Sequence, residues 1–182
     1  MGILQRLLAF LAPHERRSGV LELHADQLRA MGIDALLLDV DCTLKDHGCP
    51  DVPAAVVAWL ERLRAEGFPI GLVSNGKARR IGPLASALGL PFVAMAKKPL
   101  PFACRQAART LGVEPSRVAI VGDQLFTDVL AGRLAGFRTI LVTPTSQDAP
   151  WMTRVKRPFE RWVLARLPGD SPCARPESPP PS

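Results

Sequence analysis

Residues 35–43 read Ala-Leu-Leu-Leu-Asp-Val-Asp-Cys-Thr, an apolar run that ends at two carboxylates separated by one residue. A short apolar run bounded by polar residues is typical of a strand that is buried on both faces of a parallel sheet. We therefore predict a buried strand that ends at Asp39. Asp41 and Thr43 then follow in the loop at its carboxyl end.

Strands and helices are predicted to alternate along the rest of the chain. Further apolar runs predict strands at residues 70–73, 90–94, 118–121 and 139–142. Amphipathic stretches between these runs predict helices that stop near Gly67, Gly89, Gly112 and Gly136. Residues 14–17, before the first strand, are predicted to form a basic turn. The alternation predicts an α/β fold with a doubly wound parallel sheet.

Polar residues follow these predicted strands, and ligands of such sheets bind outside the carboxyl ends of the strands. The positions concerned are Asp39, Ser74, Lys98 and Asp123, with Asp128 in the next helix. Acidic side chains that meet in one crevice repel each other unless a cation is bound, and Mg²⁺ prefers their oxygen atoms. The sequence therefore predicts a magnesium site that binds a phosphate oxygen.

Each of these residues also has a purely structural interpretation when it is taken alone. Ser74 precedes Asn-Gly and is typical of a turn, and the lysines at 97 and 98 are typical of a solvated basic loop. Asp123 and Asp128 are both suited to capping a helix. Their joint occurrence, each after an apolar run, favours the catalytic interpretation.

The order of these residues resembles the four motifs of haloacid dehalogenase (HAD) superfamily phosphatases. Residues 39–43 resemble the D-x-D-x-T motif, Ser74 the second motif, Lys98 the third, and residues 122–128 (Gly-Asp-Gln-Leu-Phe-Thr-Asp) the fourth. The last motif, with Lys-Pro upstream, is similar to the YqeG-like branch of subfamily IIIA, which includes mitochondrial phosphatidylglycerophosphate phosphatases. The resemblance spans roughly residues 35–143 and implies a HAD-like fold without a cap domain.

The resemblance implies a catalytic role for two aspartates. Asp39 would attack phosphorus to form an aspartyl-phosphate, and Asp41 would protonate the leaving oxygen and later activate water. Mg²⁺ would be held by Asp39, the backbone carbonyl of Asp41, and Asp123. A carboxylate attacks a phosphoryl group only when the negative charge of the phosphoryl group is screened, and the metal would provide this screening.

The same resemblance implies the phosphate-binding residues. Thr43, Ser74 and Lys98 would contact the phosphoryl oxygens, and Asn75 is included with them, although turn formation also accounts for it. Asp128 is assigned a supporting role beside the metal, and direct ligation is left open.

Length and composition fit one domain, predicted over residues 1–168 with a core at about 33–146. The chain has 182 residues, 47% of them hydrophobic, and its Pro- and Ser-rich tail at 169–182 is predicted to be disordered. Its four cysteines lack the spacing of a zinc site, and no run is long enough for a membrane span. We predict a cytoplasmic protein. Its oligomeric state is left open.

The net charge of +6 favours anionic partners. The gaps between motifs, residues 39–74 and 74–98, are too short for a cap domain, so the predicted crevice is open to a bulky substrate. The first twelve residues and the segment 154–167 are amphipathic, and each either lies on an anionic membrane or packs on the sheet.

These features and the family resemblance lead to a magnesium-dependent phosphomonoesterase. The resemblance implies phosphatidylglycerophosphate, an intermediate of phospholipid synthesis, as its leading substrate, and peripheral association with the inner face of the membrane is an expectation. The first alternative is a HAD phosphatase for a protein, a nucleic-acid end or a small metabolite. The second is a non-catalytic basic protein that binds RNA or a membrane complex. Nucleic acid is not expected as a partner, because the chain has no tyrosine and only 5% aromatic residues for base stacking.

Overall fold

The computed structural model describes residues 2–146, Pro158, Glu160 and residues 162–166. The strands in these ranges are β1 (Glu15–Arg17), β2 (Ala35–Leu38), β3 (Ile70–Val73), β4 (Phe92–Val93), β5 (Val118–Gly122) and β6 (Arg138–Val142). The α-helices are α1 (Ile3–Leu11), α2 (Ala25–Ala30), α3 (Ala54–Ala65), α4 (Ala78–Leu88), α5 (Phe102–Leu111) and α6 (Leu130–Ala135). Short 3₁₀ turns occupy Val20–Glu22 and Pro115–Arg117, and a π turn occupies Leu125–Val129.

The six strands form one parallel sheet in the order β1-β6-β5-β2-β3-β4. Strand β2 lies at its centre, where Leu38 is in register with Val121 of β5 and with Leu72 of β3. The predicted doubly wound parallel sheet is confirmed. Because all strands run in the same direction, the residues that follow them meet at one edge of the sheet.

Helices cover both faces of the sheet, and successive residues of β2 face opposite layers, as the pleat requires. Leu36 and Leu38 belong to one core cluster, which includes residues of α2, α3 and α4. Leu37 belongs to the other, which includes small residues of α5 and α6. Every residue of β2 is fully buried, so the continuous apolar run of the sequence is explained by burial on two sides.

Residues 15–17 form an edge strand, so the basic turn predicted over residues 14–17 is wrong. Glu15–Arg17 pairs in parallel with residues 140–142. Arg133 donates to Nε2 of His14 at 2.8 Å, so the ring proton is on Nδ1, which donates to Thr139 Oγ1 at 2.9 Å. Burial first, and the charges of Arg133 and Arg138 second, lower the pKa of His14 to about 4. An edge strand tolerates charged residues, which is why the pattern of this segment did not indicate a strand.

Two helices end where the sequence predicted. Helix α4 ends at Leu88 and is capped by Gly89, whose φ is 62°, and helix α5 ends at Leu111 and is capped by Gly112, whose φ is 69°. Both glycines adopt the left-handed conformation that closes a helix and that residues with a Cβ rarely adopt.

The described parts of both ends of the chain pack on the domain. Arg133 donates to the carbonyl oxygens of Ala9 and Phe10, which fastens α1 to α6. Near the carboxyl end, Val163 is buried beside the π turn, and Trp162 is exposed. The rest of the segment 154–167 and the tail at 169–182 lie outside the described residues. Among those described, none belongs to a helix with the length and apolarity of a membrane span.

Candidate active site

Two buried side chains of opposite charge form the centre of the site. Asp39 directly follows β2, and its N–H donates to the carbonyl oxygen of Val121 at 2.9 Å. Lys98 reaches it from the loop between β4 and α5, with Nζ 2.7 Å from Asp39 Oδ1, 2.6 Å from Asp128 Oδ1 and 2.9 Å from the Val73 carbonyl oxygen. Lys98 is therefore part of the buried site, whereas Lys97 is exposed as a solvated loop residue would be.

The electrostatic environment fixes the charges of this pair. Burial alone would lower the pKa of Lys98, but the charges and hydrogen bonds of Asp128 and Asp39 raise it, so the ammonium group stays protonated. Burial also raises the pKa of Asp39, and the charges of Asp128 and Asp41 add to that effect while Lys98 opposes it. The ammonium group therefore opposes the effect of burial and favours the ionised form of Asp39, although the pKa of Asp39 stays raised, at about 7.

Three carboxylates converge at the same edge of the sheet. Asp39, Asp123 and Asp128 are all buried, and one carboxylate oxygen of each lies within 4.8 Å of the others. These three groups carry a formal charge of −3, and Lys98 adds +1, which leaves −2. A buried set of hard oxygen ligands with that charge fits a divalent cation. The residues present are thus suited to a hard divalent metal.

Asp128 contacts Lys98 at the centre of the site, which is closer than we expected for a residue with a supporting role beside the metal. The π turn places it against Gly122, where a Cβ atom would overlap the Asp128 side chain. Its Oδ2 accepts the N–H of Gln124 at 3.1 Å while Oδ1 contacts Lys98. The glycine before Asp123 is the sequence signal for this close approach, since only glycine leaves the space.

Two hydroxyl groups lie in the loops beside Asp39. Thr43 is 2% exposed, and its Oγ1 has no hydrogen-bond partner among the residues that the structure describes. Ser74 directly follows β3, and its Oγ accepts the N–H of Gly76 at 3.1 Å, so it also forms the turn that its sequence indicated. A hydroxyl that accepts one bond still has a proton to donate, and both groups can donate to an anion.

Asn75 contacts the protein instead of pointing freely into the crevice. Its Oδ1 accepts the backbone N–H of Lys98 at 2.8 Å, and its Nδ2 donates to the Lys98 carbonyl oxygen at 3.2 Å. This pair of bonds holds the loop from which Lys98 reaches Asp39. The geometry gives Asn75 a positioning task that the sequence motif did not reveal.

Asp41 is the carboxylate that the structure separates from the other three. Arg80 donates to both of its oxygens, at 2.6 and 2.5 Å, while Lys45 Nζ is 3.7 Å and His47 Nδ1 is 3.8 Å from Oδ1. Burial alone would raise the pKa of Asp41, but the hydrogen bonds and charge of Arg80, with smaller contributions from Lys45 and His47, hold it below its ordinary value. Sequence reasoning missed Arg80 altogether.

The segments between these residues contain no separate folded unit. Asp39 to Ser74 holds α3, and Ser74 to Lys98 holds α4 and the short strand β4. All residues of both segments are described, so the prediction that a cap domain is absent from them agrees with the fold.

Comparison with known proteins supports the family resemblance. A family model described as "Hydrolase: haloacid dehalogenase-like hydrolase" matches residues 4–136. The "Probable phosphatase YqeG" of Bacillus subtilis strain 168 is 31% identical over 161 residues, a match that covers 88% of this chain and 94% of that protein.

A second relative is more distant, and the shared fold extends to solved structures. The chloroplastic "Phosphatidylglycerophosphate phosphatase 1" of Chlamydomonas reinhardtii is 27% identical over 164 residues, which cover 85% of this chain and 61% of that protein. The structure of NagD from E. coli K-12 matches with a TM-score of 0.52 at 14% identity, over 65% of this chain and 93% of NagD. The likeness to NagD shows a common fold.

Proposed function

This chain belongs to the haloacid dehalogenase-like hydrolase family, and from that premise we propose that it is a phosphatase that hydrolyses a phosphomonoester through an aspartyl-phosphate on Asp39. The observation that carries the proposal is the convergence of Asp39, Asp123 and Asp128 with Lys98 at the carboxyl edge of the sheet. This arrangement joins a buried carboxylate nucleophile to a set of groups that bind a metal and a phosphoryl group.

The proposed reaction has two steps that balance in atoms and protons. In the first, a carboxylate oxygen of Asp39 bonds to phosphorus, the bond from phosphorus to the ester oxygen breaks, and Asp41 gives a proton to that oxygen. Because the bonds from Arg80 hold the pKa of Asp41 below its ordinary value, Asp41 carries this proton only when those bonds are broken. In the second, water bonds to phosphorus, its proton passes to Asp41, and the bond from phosphorus to Asp39 breaks. The products are the alcohol and inorganic phosphate, and both aspartates return to their starting states.

The remaining residues bind and orient the phosphoryl group. Lys98 neutralises charge beside Asp39, and the buried hydroxyl of Thr43 and the hydroxyl of Ser74 donate to phosphoryl oxygens. Asp39, Asp123 and Asp128 would hold Mg²⁺, with the Asp41 backbone carbonyl as a further candidate ligand. The ion, when bound, screens the negative charge between the nucleophile and the phosphate.

The proposed substrate is a phospholipid monoester, with phosphatidylglycerophosphate first. The name of the Chlamydomonas relative supports it, and so does the surface around Lys98. Met95, Leu100 and Phe102 lie within four residues of Lys98 and are 60%, 49% and 71% exposed. Exposed apolar side chains at the mouth of the crevice suit a lipid surface, and the net charge of +6 on the chain favours an anionic one, so we propose that this loop contacts an anionic membrane.

The test is Mg²⁺-dependent phosphate release from phosphatidylglycerophosphate in mixed micelles and from an aryl phosphate. We expect Asp39→Asn to lower turnover of both substrates by at least ~1,000-fold, because the nucleophile is lost. Asp51→Asn, at an exposed aspartate, is the matched control and keeps wild-type activity.

The possible results separate the proposals. Aryl phosphate turnover without lipid turnover would keep the aspartyl-phosphate mechanism and reject the lipid. Full activity of Asp39→Asn would reject the mechanism. No turnover of either substrate by the wild type, together with tight RNA binding, would favour the non-catalytic alternative.

A further inference from the structure

Arg80 is a cationic side chain at the mouth of the crevice to which the proposed reaction gives no task. Its guanidinium donates to both oxygens of Asp41, at 2.6 and 2.5 Å. The Arg80 side chain is 41% exposed, against 19% for Asp41, so the pair lies at the boundary with solvent. An anion that arrives from solvent can therefore reach the guanidinium without unfolding anything around it.

The backbone makes space for this side chain. Arg80 lies in the first turn of α4 and lies over the loop after Ser74, where a Cβ on Gly76 would overlap Nη2. Glycine at 76 therefore leaves the space in which the guanidinium lies against Asp41, and a Cβ at this position would push the flexible end of Arg80 aside. Both the loop at Gly76 and the ion pair with Asp41 therefore contribute to the position of Arg80.

The surroundings of Asp41 carry more positive charge than one carboxylate balances. Lys45 is 4% exposed, and its Nζ lies 3.7 Å from Asp41 Oδ1. Arg80 and Lys45 contribute two positive charges and Asp41 one negative charge, which gives a local surplus of +1 once a bound divalent cation cancels the charge of −2 on the neighbouring acidic cluster. His47 Nδ1, at 3.8 Å, adds a further polar group on the same side. A surplus of positive charge at an accessible site attracts an anion.

This surplus lies where the leaving group of the substrate must be. In the proposed reaction Asp41 lies at hydrogen-bond distance from the ester oxygen, and Arg80 lies at hydrogen-bond distance from Asp41 on its other side. Adding these two distances across the carboxylate places the Arg80 guanidinium roughly 5–8 Å from the ester oxygen. An ester oxygen and a second phosphorus separated by a three-carbon spacer are about that far apart.

We propose that Arg80 binds a second anionic group on the leaving alcohol, a phosphodiester or a second phosphate about three carbons from the scissile ester. The inference rests on the proposed phosphatase function and names the class of substrate it favours. The planar guanidinium fork matches two oxygens of a phosphate as it matches those of Asp41. The second anion takes the place of the Asp41 carboxylate on the fork. A lipid head group and a soluble phosphorylated compound both supply this chemistry.

The experiment measures kcat/KM with Mg²⁺ for three substrates that differ in the second anion and in the lipid. They are glycerol 3-phosphate, the water-soluble deacylated head group of phosphatidylglycerophosphate, and the intact lipid in mixed micelles. The readout is the ratio of kcat/KM for the head group to that for glycerol 3-phosphate. A change at Arg80 that merely misplaces Asp41 slows both substrates alike and leaves this ratio unchanged.

We expect Arg80→Gln to lower the ratio by at least ~10-fold, since a charge-assisted bidentate contact is lost. Arg80→Lys retains the charge but not the fork and lowers it less. Gly76→Ala displaces the Arg80 guanidinium without removing its charge, and we expect it to lower the ratio as well. Arg79→Gln removes a charge from the exposed neighbour on the same helix and leaves the ratio unchanged.

Three results would overturn the inference. One is an equal loss for all substrates in Arg80→Gln, which would restrict Arg80 to positioning Asp41. Another is a loss confined to the lipid in micelles, which would place Arg80 at the membrane surface instead of on the second anion. The third is wild-type turnover that does not distinguish the head group from glycerol 3-phosphate. If the wild-type protein hydrolysed none of the three substrates and so behaved as Asp39→Asn does, the proposed phosphatase function itself would be contradicted. The inference about Arg80 would then lose its basis.

Discussion

Replacing Lys98 by methionine tests whether the ammonium group is what makes the buried acidic cluster compatible with a stable fold. Nζ makes three contacts shorter than 3.0 Å, two of them to Asp39 and Asp128, and the side chain is 2% exposed. Methionine fills a similar volume but leaves the two carboxylates without their cation. Removing one partner of a buried ion pair costs about 3–5 kcal/mol, and we expect that loss in the free energy of unfolding at pH 8 without divalent metal.

The pH dependence of the loss identifies its cause. The pKa of Asp39 is raised in the folded protein even with Lys98 beside it, and removal of the lysine raises it further. A group whose folded pKa lies above its unfolded pKa contributes stability at low pH that is lost as the pH rises through the folded value. The deficit of Lys98→Met is therefore expected to shrink between pH 8 and pH 5, as the cluster takes up a proton.

Urea unfolding followed by far-UV circular dichroism in EDTA measures both effects. Lys97→Met makes the same chemical change at the exposed neighbour and is expected to stay within ~0.5 kcal/mol of wild type. Asp128→Asn added to Lys98→Met removes one of the unpaired charges and recovers part of the loss. A deficit below ~1 kcal/mol at pH 8, or one that does not change with pH, would refute the argument from charge.

Three further predictions concern other parts of the molecule. The pKa of His14 is about 4 in the folded protein and 6.5 ordinarily, so the unfolded chain binds a proton more readily as the pH falls. Lowering the pH from 7.5 to 5 should therefore lower the free energy of unfolding by ~1 kcal/mol, a figure that allows for the partial exposure of His14. The urea midpoint of His14→Asn should not show this contribution. Glu160→Ala removes the acceptor of the Phe126 N–H and should cost ~1–3 kcal/mol in urea unfolding; an equal loss in Glu160→Gln, which keeps an acceptor, would contradict this. Phe102→Ser should lower turnover of micellar lipid by ~10-fold but spare the soluble head group, whereas Leu134→Ser, at an exposed residue of α6, should spare both.

The sheet and the convergence of its polar residues could be predicted because both follow from short-range pattern and topology. The run of leucines before Asp39 admits few arrangements other than a strand buried on both faces. Once the strands are parallel, their carboxyl ends share an edge, and the pairing of β2 with β5 then makes Asp39 and Asp123 neighbours. The identity of the buried lysine was harder, since residues 97 and 98 are equivalent in pattern and only the resemblance distinguished them.

The features that could not be predicted depend on local geometry that pattern does not encode. The edge strand at residues 15–17 is short and charged, so it lacks the apolar signature of the strands at the centre. The π turn adds a residue to the first turn after Asp123, and a regular helix drawn from the sequence would point Asp128 elsewhere. Gly122 is the sequence signal for the close approach of Asp128, but this role of the glycine can be recognised only from the structure, where the Asp128 carboxylate contacts it.

Arg80 shows why substrate preference is harder to predict than reaction chemistry. The groups proposed to act on phosphorus follow strands, whose ends are aligned by the hydrogen-bonded sheet, so topology alone brings them together. Arg80 lies on a helix, and which of the adjacent arginines at 79 and 80 faces the crevice is set by the phase of α4 and by the space at Gly76. A shift of one residue in the start of α4 turns the helix by about 100° and would remove the contact with Asp41. The loops and helix starts beside the sheet therefore determine what the leaving group must carry, while the sheet determines where the phosphoryl group binds.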